Sequence, residues 1–347
     1  MTRTSAFMSA GVAALLAVVA VNGQAPAPFV PASAIITLPA DITSLTAMGS
    51  TGMGSDHGLT PGRVAAGLAD GHVAVWNGRD KSAILLKPHT ARVLAVGSTA
   101  DGLSVLSVDA DGSLSRTLIA SGGAPTTRRL DLGAAPTRAA AFSGDGSILV
   151  TGGELGEIRV FDTASGALKQ QLRGHRTELQ DLAIRPGSAI LASASAGADL
   201  RIWDTGTGRE IGYVDGDPSL FALGFSPRDG TLASGGVNRR LTLRDSATFK
   251  SVGELVLQAP KMVATLAWSP DGRFIAFGDL DDETLSKGGI QILDSASRAV
   301  VASLDTGSRP ARALVFADDR GLVVGIVGRD LRAWTVVTSV VQSSGAP

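Results

Sequence analysis

The sequence predicts an all-β chain built as a closed ring of similar four-stranded units. Three observations lead there. A segment like LRIWDTGTGRE, at Leu200–Glu210, recurs seven times. A hairpin-like segment stands upstream of the copies. One strand-like segment near the start of the chain has no unit before it.

Aligned on the Trp203 position, the copies are GHVAVW ending at Trp76, GSLSRT at Thr117, GEIRVF at Phe161, ADLRIW at Trp203, RRLTLR at Arg244, GGIQIL at Leu293 and RDLRAW at Trp334. The intervals are 41, 44, 42, 41, 49 and 41 residues. Asp follows the aligned residue at Asp162, Asp204, Asp245 and Asp294, and Asn77 follows in another copy. The upstream segments include AAAFSGDGSILVTGG from Ala139, LGFSPRDGTLASGG from Leu223 and LAWSPDGRFIAFGD from Leu266. Each reads as strand, Gly-containing turn, strand. Strands a, b and c, a turn, and strand d then make one antiparallel unit. A repeat of about 40–45 residues in this order marks a propeller blade. A single blade cannot bury both faces of its sheet, whereas neighbours stacked around an axis can. The fold class is therefore a seven-bladed β-propeller of four-stranded antiparallel blades over residues 34–337, with a tail at 338–347.

SAIITLPADITSLTA from Ser33 lines up with SAILLKPHTARVLAV from Ser82 at a constant offset of 49. In the second stretch, Ile84–Leu86 is the outer strand d before blade two. Ile35–Thr37 is then also a strand d, with no blade before it. The chain ends soon after the seventh strand c. The N-terminal strand is expected to complete blade seven, closing the ring and hiding a sheet edge.

The first residues, MTRTSAFMSAGVAALLAVVAVNGQAPAPF, carry one early positive charge at Arg3, and the next charge is Asp41. The apolar run from Ala6 to Val21 is 16 residues, short of the roughly 20 needed to span a bilayer. Small residues at Gly23-Gln24-Ala25 precede Pro26 and Pro28. This is the layout of a secretory signal peptide over residues 1–25, with a retained N-terminal anchor as the competing reading and 26–33 as a linker. Export is expected. Ala, Gly and Arg richness with little Lys suggests a bacterium with a G+C-rich genome, and the periplasm if it is Gram-negative.

The chain has no Cys, which excludes disulfides, a lipidated Cys, c-type haem attachment and Cys-ligated metals. A net charge of −1, with 18% charged residues, gives no reason to expect a nucleic-acid partner. A membrane is not expected beyond an N-terminal anchor. A monomer without cofactors is expected.

These repeats resemble the WD-repeat β-propeller family. The best copy runs from Gly174 to Asp204, with Gly-His and Trp-Asp both in place. The resemblance implies a hydrogen-bonded structural set of that His, a strand-b Ser or Thr, an Asp before strand c, and the Trp. His175, Ser193 and Trp203 match it, with Gly197 at the Asp position. Asp70 and Asp111 match in blades one and two, and Asn238 approximates it in blade five. Asp204, Trp76, Phe161, Asp162 and Trp334 are further repeat residues with structural roles. His89 also stands near the Gly-His position.

Catalytic motifs are absent: there is no G-x-S-x-G, Walker loop, G-x-G-x-x-G or H-E-x-x-H. Ser55, Asp56 and His57 are consecutive, and consecutive residues rarely converge as a triad. His72 reads as a turn residue. Asp279, Asp281, Asp282 and Glu283 lie in the one long insertion. They are the weak metal candidates, but their spacing fits no calcium loop, and a solvated loop is the plainer reading.

The resemblance also implies that the second residue of each strand a lies near the top rim of the channel, a common partner-binding surface. Aligned from blade one, these residues are Thr43, Arg92, Arg138, Gln180, Phe221, Ala264 and Arg312. Arg92, Arg138 and Arg312 would form an arc flanking blade one, with Phe221, Ala264 and Met262 opposite. Such a face suits an acidic, partly apolar protein partner. The plainer alternative pairs these arginines with acids such as Asp181. A non-catalytic interaction scaffold is the expected function. The alternatives are a propeller enzyme or enzyme subunit (lactonase-like or quinoprotein-associated), or a carrier of small anions.

Overall fold

The computed structural model describes residues 29–336 apart from 31, 33, 49–62, 77–81, 120–123, 134–136, 216–219, 258–260, 282, 308 and 319–321. The expected export segment, the 55–57 cluster and the C-terminal tail lie outside the described residues. Every regular element among the described residues is a strand. The strands form seven antiparallel four-stranded sheets, one of which gains a fifth strand. Blade four is representative: strands a to d are Leu179–Ile184, Ile190–Ser195, Asp199–Asp204 and Arg209–Asp215.

Position within the blade sets the burial pattern. Strand b is covered on both faces by neighbouring blades. Val64–Leu68 of blade one and Ser104–Asp109 of blade two are buried throughout. Such strands read as continuous small and apolar runs rather than as alternation. Strand d lies at the outside, and Thr126–Asp131 of blade two is exposed along most of its length. The position used to align the repeats is buried in all seven blades, at Trp76, Thr117, Phe161, Trp203, Arg244, Leu293 and Trp334.

Two-sided packing also explains the glycines of strand b. A Cβ on Gly67 would stand 2.5 Å from Val93 Cγ1, and one on Gly235 would stand 2.6 Å from Val263 Cβ. Val93 opens strand a of blade two, and Val263 stands near the start of strand a of blade six, Lys261–Trp268. The blades therefore meet at a distance that only glycine allows.

Blade seven is completed by the start of the chain. Its strands a to c are Ala311–Phe316, Leu322–Val327 and Asp330–Thr335. Its strand d is Ala34–Thr37, antiparallel to strand c, with Ala34 opposite Ala333 and Thr37 opposite Asp330. Thr37 Oγ1 donates to Asp330 Oδ1 at 2.7 Å. Ile36 and Leu38 enter the core shared by blades seven and one, beside Trp76, Val324 and Leu331.

Within the segment expected to be a linker, Phe29–Val30 pairs in parallel with Ser303–Leu304. It adds a fifth strand outside strand d of blade six, Val300–Leu304. The first described residues thus attach to blade six and then to blade seven. The long interval before Leu293 is taken up by a longer hairpin, whose strands are Phe274–Asp281 and Gly288–Asp294.

Closure predicts an alternating sensitivity at the N-terminal strand. Ile36 is 6% exposed and Ile35 is 52% exposed. Ile36→Ala is expected to cost about 2–5 kcal/mol, and Ile35→Ala within about 0.5 kcal/mol of zero, in urea unfolding of both variants. Gly235→Ala is expected to cost about 1–3 kcal/mol through overpacking against Val263, measured the same way.

Candidate functional site: the upper rim of the ring

The blades are held in register by two kinds of polar device. The first is the Trp–Ser–His–Asp set. In blade four Trp203 Nε1 donates to Ser193 Oγ at 2.8 Å, and Ser193 Oγ lies 2.6 Å from His175 Nε2. His175 Nδ1 lies 2.9 Å from Asp199 Oδ1. A carboxylate accepts only, so His175 donates through Nδ1 and accepts at Nε2 from the Ser193 hydroxyl. Asp199 also accepts from Ser195 Oγ and, at 2.9 Å, from Arg201 Nε. The set expected to be incomplete at Gly197 is therefore complete, with Asp199 as its acid.

Blade two corrects a similar expectation. Its acid is Asp109, not Asp111: His89 Nδ1 lies 3.0 Å from Asp109 Oδ2, and His89 Nε2 lies 2.8 Å from Ser107 Oγ. Thr117 replaces the Trp there and bonds Thr127 Oγ1 at 2.9 Å instead. Burial pushes the pKa of both histidines down, against the pull of their carboxylates. Ser107 and Ser193 are fully enclosed. A buried Ser–His–Asp row with no open face cannot meet a substrate, so these rows hold the blades together.

The second device is the Asp after the aligned position. Asp162 Oδ1 accepts from Ser165 N at 2.9 Å, and Asp204 Oδ1 from Gly206 N at 2.8 Å. Asp245 Oδ1 accepts from Thr248 N at 2.8 Å, and Asp294 Oδ1 from Ser297 N at 2.9 Å. Each carboxylate closes the turn into strand d, a use to which Asp is suited. The amide of Thr248 leads the bonds that hold the Asp245 carboxyl below the usual range.

The acidic insertion repeats this device. Asp281 Oδ1 accepts from Thr284 N at 2.7 Å and Thr284 Oγ1 at 2.9 Å. Asp279 is buried; its Oδ2 pairs with Lys261 Nζ at 2.9 Å, and its Oδ1 accepts from Gly289 N at 3.0 Å. Glu283 is exposed, and Asp282 lies outside the described residues. Among the described residues no three His, Asp or Glu side chains are placed to hold a metal ion.

At the upper rim every strand a is irregular near its start. Between Leu179 and Asp181, for example, Gln180 has no partner of its own on strand b. Such bulges re-aim side chains and gather near functional sites. Thr43, Arg138, Gln180, Phe221 and Ala264 occupy this place in blades one, three, four, five and six. In blade two the bulged residue is Leu94. Arg92 lies two residues earlier, in the connection from blade one, which corrects its alignment with Arg138. In blade seven the irregularity spans Arg312 and Ala313.

Arg92 and Arg138 nevertheless share one pocket of about 490 Å³, whose lining includes Leu94, Glu154, Glu178 and Gln180. Arg138 Nη2 lies 2.7 Å from Glu154 Oε1, and its Nε lies 4.0 Å from Glu178 Oε2. Gln180 Nε2 donates to Glu178 Oε1 at 3.1 Å. The pocket is therefore of mixed charge, and among the described residues Arg92 is its cation with no carboxylate partner. Arg312 is exposed on blade seven and does not line it. Phe221 is half-buried on blade five. Met262 is 7% exposed, so it belongs to the core rather than to an apolar binding edge.

Asp181 pairs with none of these arginines. Its Oδ1 accepts from Leu182 N at 2.8 Å, and its Oδ2 from Leu223 N of blade five at 2.7 Å. It links the inner strands of adjacent blades. Thr43 Oγ1 makes a similar link, lying 2.9 Å from Gly67 O and 2.5 Å from Val93 O of blade two, with one proton to donate between them.

A seven-bladed propeller with buried Ser–His–Asp ties and a bulged upper rim defines the class of protein. Two stretches, residues 133–162 and 166–204, match the family model described as WD domain, G-beta repeat. The chain is 27% identical over 195 residues to WD repeat-containing protein VIP3 of Arabidopsis thaliana, covering 52% of this chain and 59% of that one. It is 29% identical over 154 residues to WD repeat-containing protein SL1-17 of Schistosoma mansoni, covering 44% and 48%. It is 33% identical over 105 residues to WD repeat and SOCS box-containing protein 1 of Takifugu rubripes, covering 29% and 25%. The matches thus span less than two thirds of these relatives. Together with the fold they support kinship with the WD40-repeat proteins.

Burial pushes the Asp181 carboxyl up to about 7. The unfolded group titrates near 3.9. Between those values the folded chain binds a proton that the unfolded chain lacks. This contribution to stability is complete below about pH 4 and is lost as pH rises towards 7. Asp181→Asn is expected to make the dependence of unfolding free energy on pH between 5 and 7 less negative than in the wild type. Urea unfolding at a series of pH values reads the difference, in which the shared histidine contribution cancels.

Proposed function

We propose that the chain is an exported, non-catalytic scaffold that binds a protein partner on the upper rim of blades two to four. The observation that carries this reading is the mixed-charge pocket beside bulged strand starts. Arg92 faces solvent there, and Leu94 and Leu179 supply apolar lining. Arginine beside apolar surface is a common anchor of protein interfaces. Glu154 and Glu178 already occupy Arg138, so the partner that fits best carries an acidic group for Arg92 and a cationic one for the glutamates. The same ion pairs weaken the reading of an anion carrier held by three free arginines. Enclosure of both Ser–His–Asp rows weakens that of a hydrolase acting through them.

Affinity capture from the extracytoplasmic fraction tests this, with the wild type compared against folded Arg92→Glu and Glu178→Lys variants. One protein is expected to be recovered with the wild type and reduced at least tenfold with each variant. Equal recovery by all three chains overturns the placement on this rim. Mass spectrometry of the exported chain is expected to show a start near Pro26; recovery of an intact N-terminus in the cytoplasm overturns export.

A further inference from the structure

Away from the upper rim, the outer strands of blade two oppose two like charges. Arg116 on strand c, Ser113–Leu118, stands directly across from Arg128 on strand d. Both side chains are exposed. Like charges directly opposite in an antiparallel pair destabilise it. Arg116 Nε donates to Ser104 Oγ at 3.3 Å. The Asp101 carboxylate is close enough to feel the Arg116 charge, but it hydrogen-bonds Thr99 Oγ1 and Leu103 N rather than the guanidinium. Arg128 has no carboxylate partner among the described residues. The connection between the two strands, IASGGAP at residues 119–125, contains no acid.

These two arginines, with Leu118, Thr126 and Thr127, line a pocket of about 240 Å³. Thr127 is engaged with Thr117, while Thr126 adds a hydroxyl at the edge. Leu118 is unusually exposed for its size. We propose that this pocket binds a small organic dianion, a phosphate monoester or a dicarboxylate, between Arg116 and Arg128. Guanidinium groups match both oxyanions through paired N–H donors. A dianion neutralises the opposed pair, and Leu118 covers the carbon skeleton of the ligand. The volume lies just below the range of drug-sized sites, which fits a ligand of a few heavy atoms. Because the anion removes a repulsion within the fold, binding also stabilises the protein.

Titration calorimetry and thermal unfolding at low ionic strength test the site, with inorganic phosphate and succinate as probes and acetate as the monoanion control. The wild type is expected to bind one equivalent of at least one dianion and to melt higher in its presence. Arg128→Gln and Arg116→Gln are each expected to weaken binding at least tenfold and to lose the thermal shift. Arg209→Gln, on strand d of blade four, is expected to bind as the wild type does. Preference for phosphate identifies the ligand class as a phosphate monoester, and preference for succinate as a dicarboxylate; either supports the site. No saturable binding of either dianion overturns it. So does unchanged affinity in the Arg128 and Arg116 variants, or loss of binding in Arg209→Gln.

Discussion

Everything in this molecule follows from the need to cover both faces of a small sheet at once. A four-stranded blade has two apolar faces and no layer of its own to hide either. Each blade therefore serves as the covering layer of the next, and its strand b lies in the middle of that arrangement. This fixes the residue types. Side chains on strand b must be small enough for the inner strand of the neighbour to approach, which is why Gly67 and Gly235 stand against Val93 and Val263. It also fixes the topology, because a row of such blades has an uncovered face at each end until it closes. The strand contributed by Ala34–Thr37 joins the two ends, and Ile36 and Leu38 fill the seam between blades seven and one.

Polar groups inside so dry a stack must be satisfied, since an unpaired buried donor or acceptor costs about 1–3 kcal/mol. The Trp–Ser–His–Asp row meets this requirement by placing each donor on an acceptor along a line from Trp203 to Asp199. The residue types are those of a hydrolase, but the context differs: the hydroxyl is enclosed, and it already receives the indole N–H. Chemical capacity at the upper rim comes from the bulges instead. An extra residue near the start of strand a leaves the ladder there, so side chains such as Arg138 and Gln180 are free to serve the surface.

The architecture was legible because it is periodic. Seven aligned positions, a constant offset between two N-terminal segments and the shortage of strands at the C-terminal end were enough to place the ring and its closure. What was not legible depends on which side of a hairpin a side chain comes from. Asp109 ends strand b and Asp199 begins strand c, yet both reach the histidine of their blade. Counting along the chain selects only one of these places, so Gly197 and Asp111 were aligned with a role that their neighbours fill. Counting likewise puts Arg92 level with Arg138, but the connection into blade two differs in length and Leu94 takes the bulge. The acidic cluster reads as a solvated loop with a weak claim on a metal, and the hydrogen bonds of Asp279 and Asp281 resolve it into a pair and a turn. Two residues, Phe29 and Val30, carry too little pattern to announce the extra strand on blade six.

The ring is joined by the strand Ala34–Thr37 to the last strand described, Asp330–Thr335. A ribosome delivers Ala34–Thr37 about 290 residues before their partners at Asp330–Ala333. Until the final repeat has emerged, the growing chain is an open arc with a sticky margin at either end. Contacts this distant in sequence slow folding, and unpaired strand edges invite association between chains. The molecule avoids that hazard only once blade seven has been made, so Ala311–Thr335 act as a latch. A chain truncated before them is not a slightly smaller propeller but an unfinished and adhesive one.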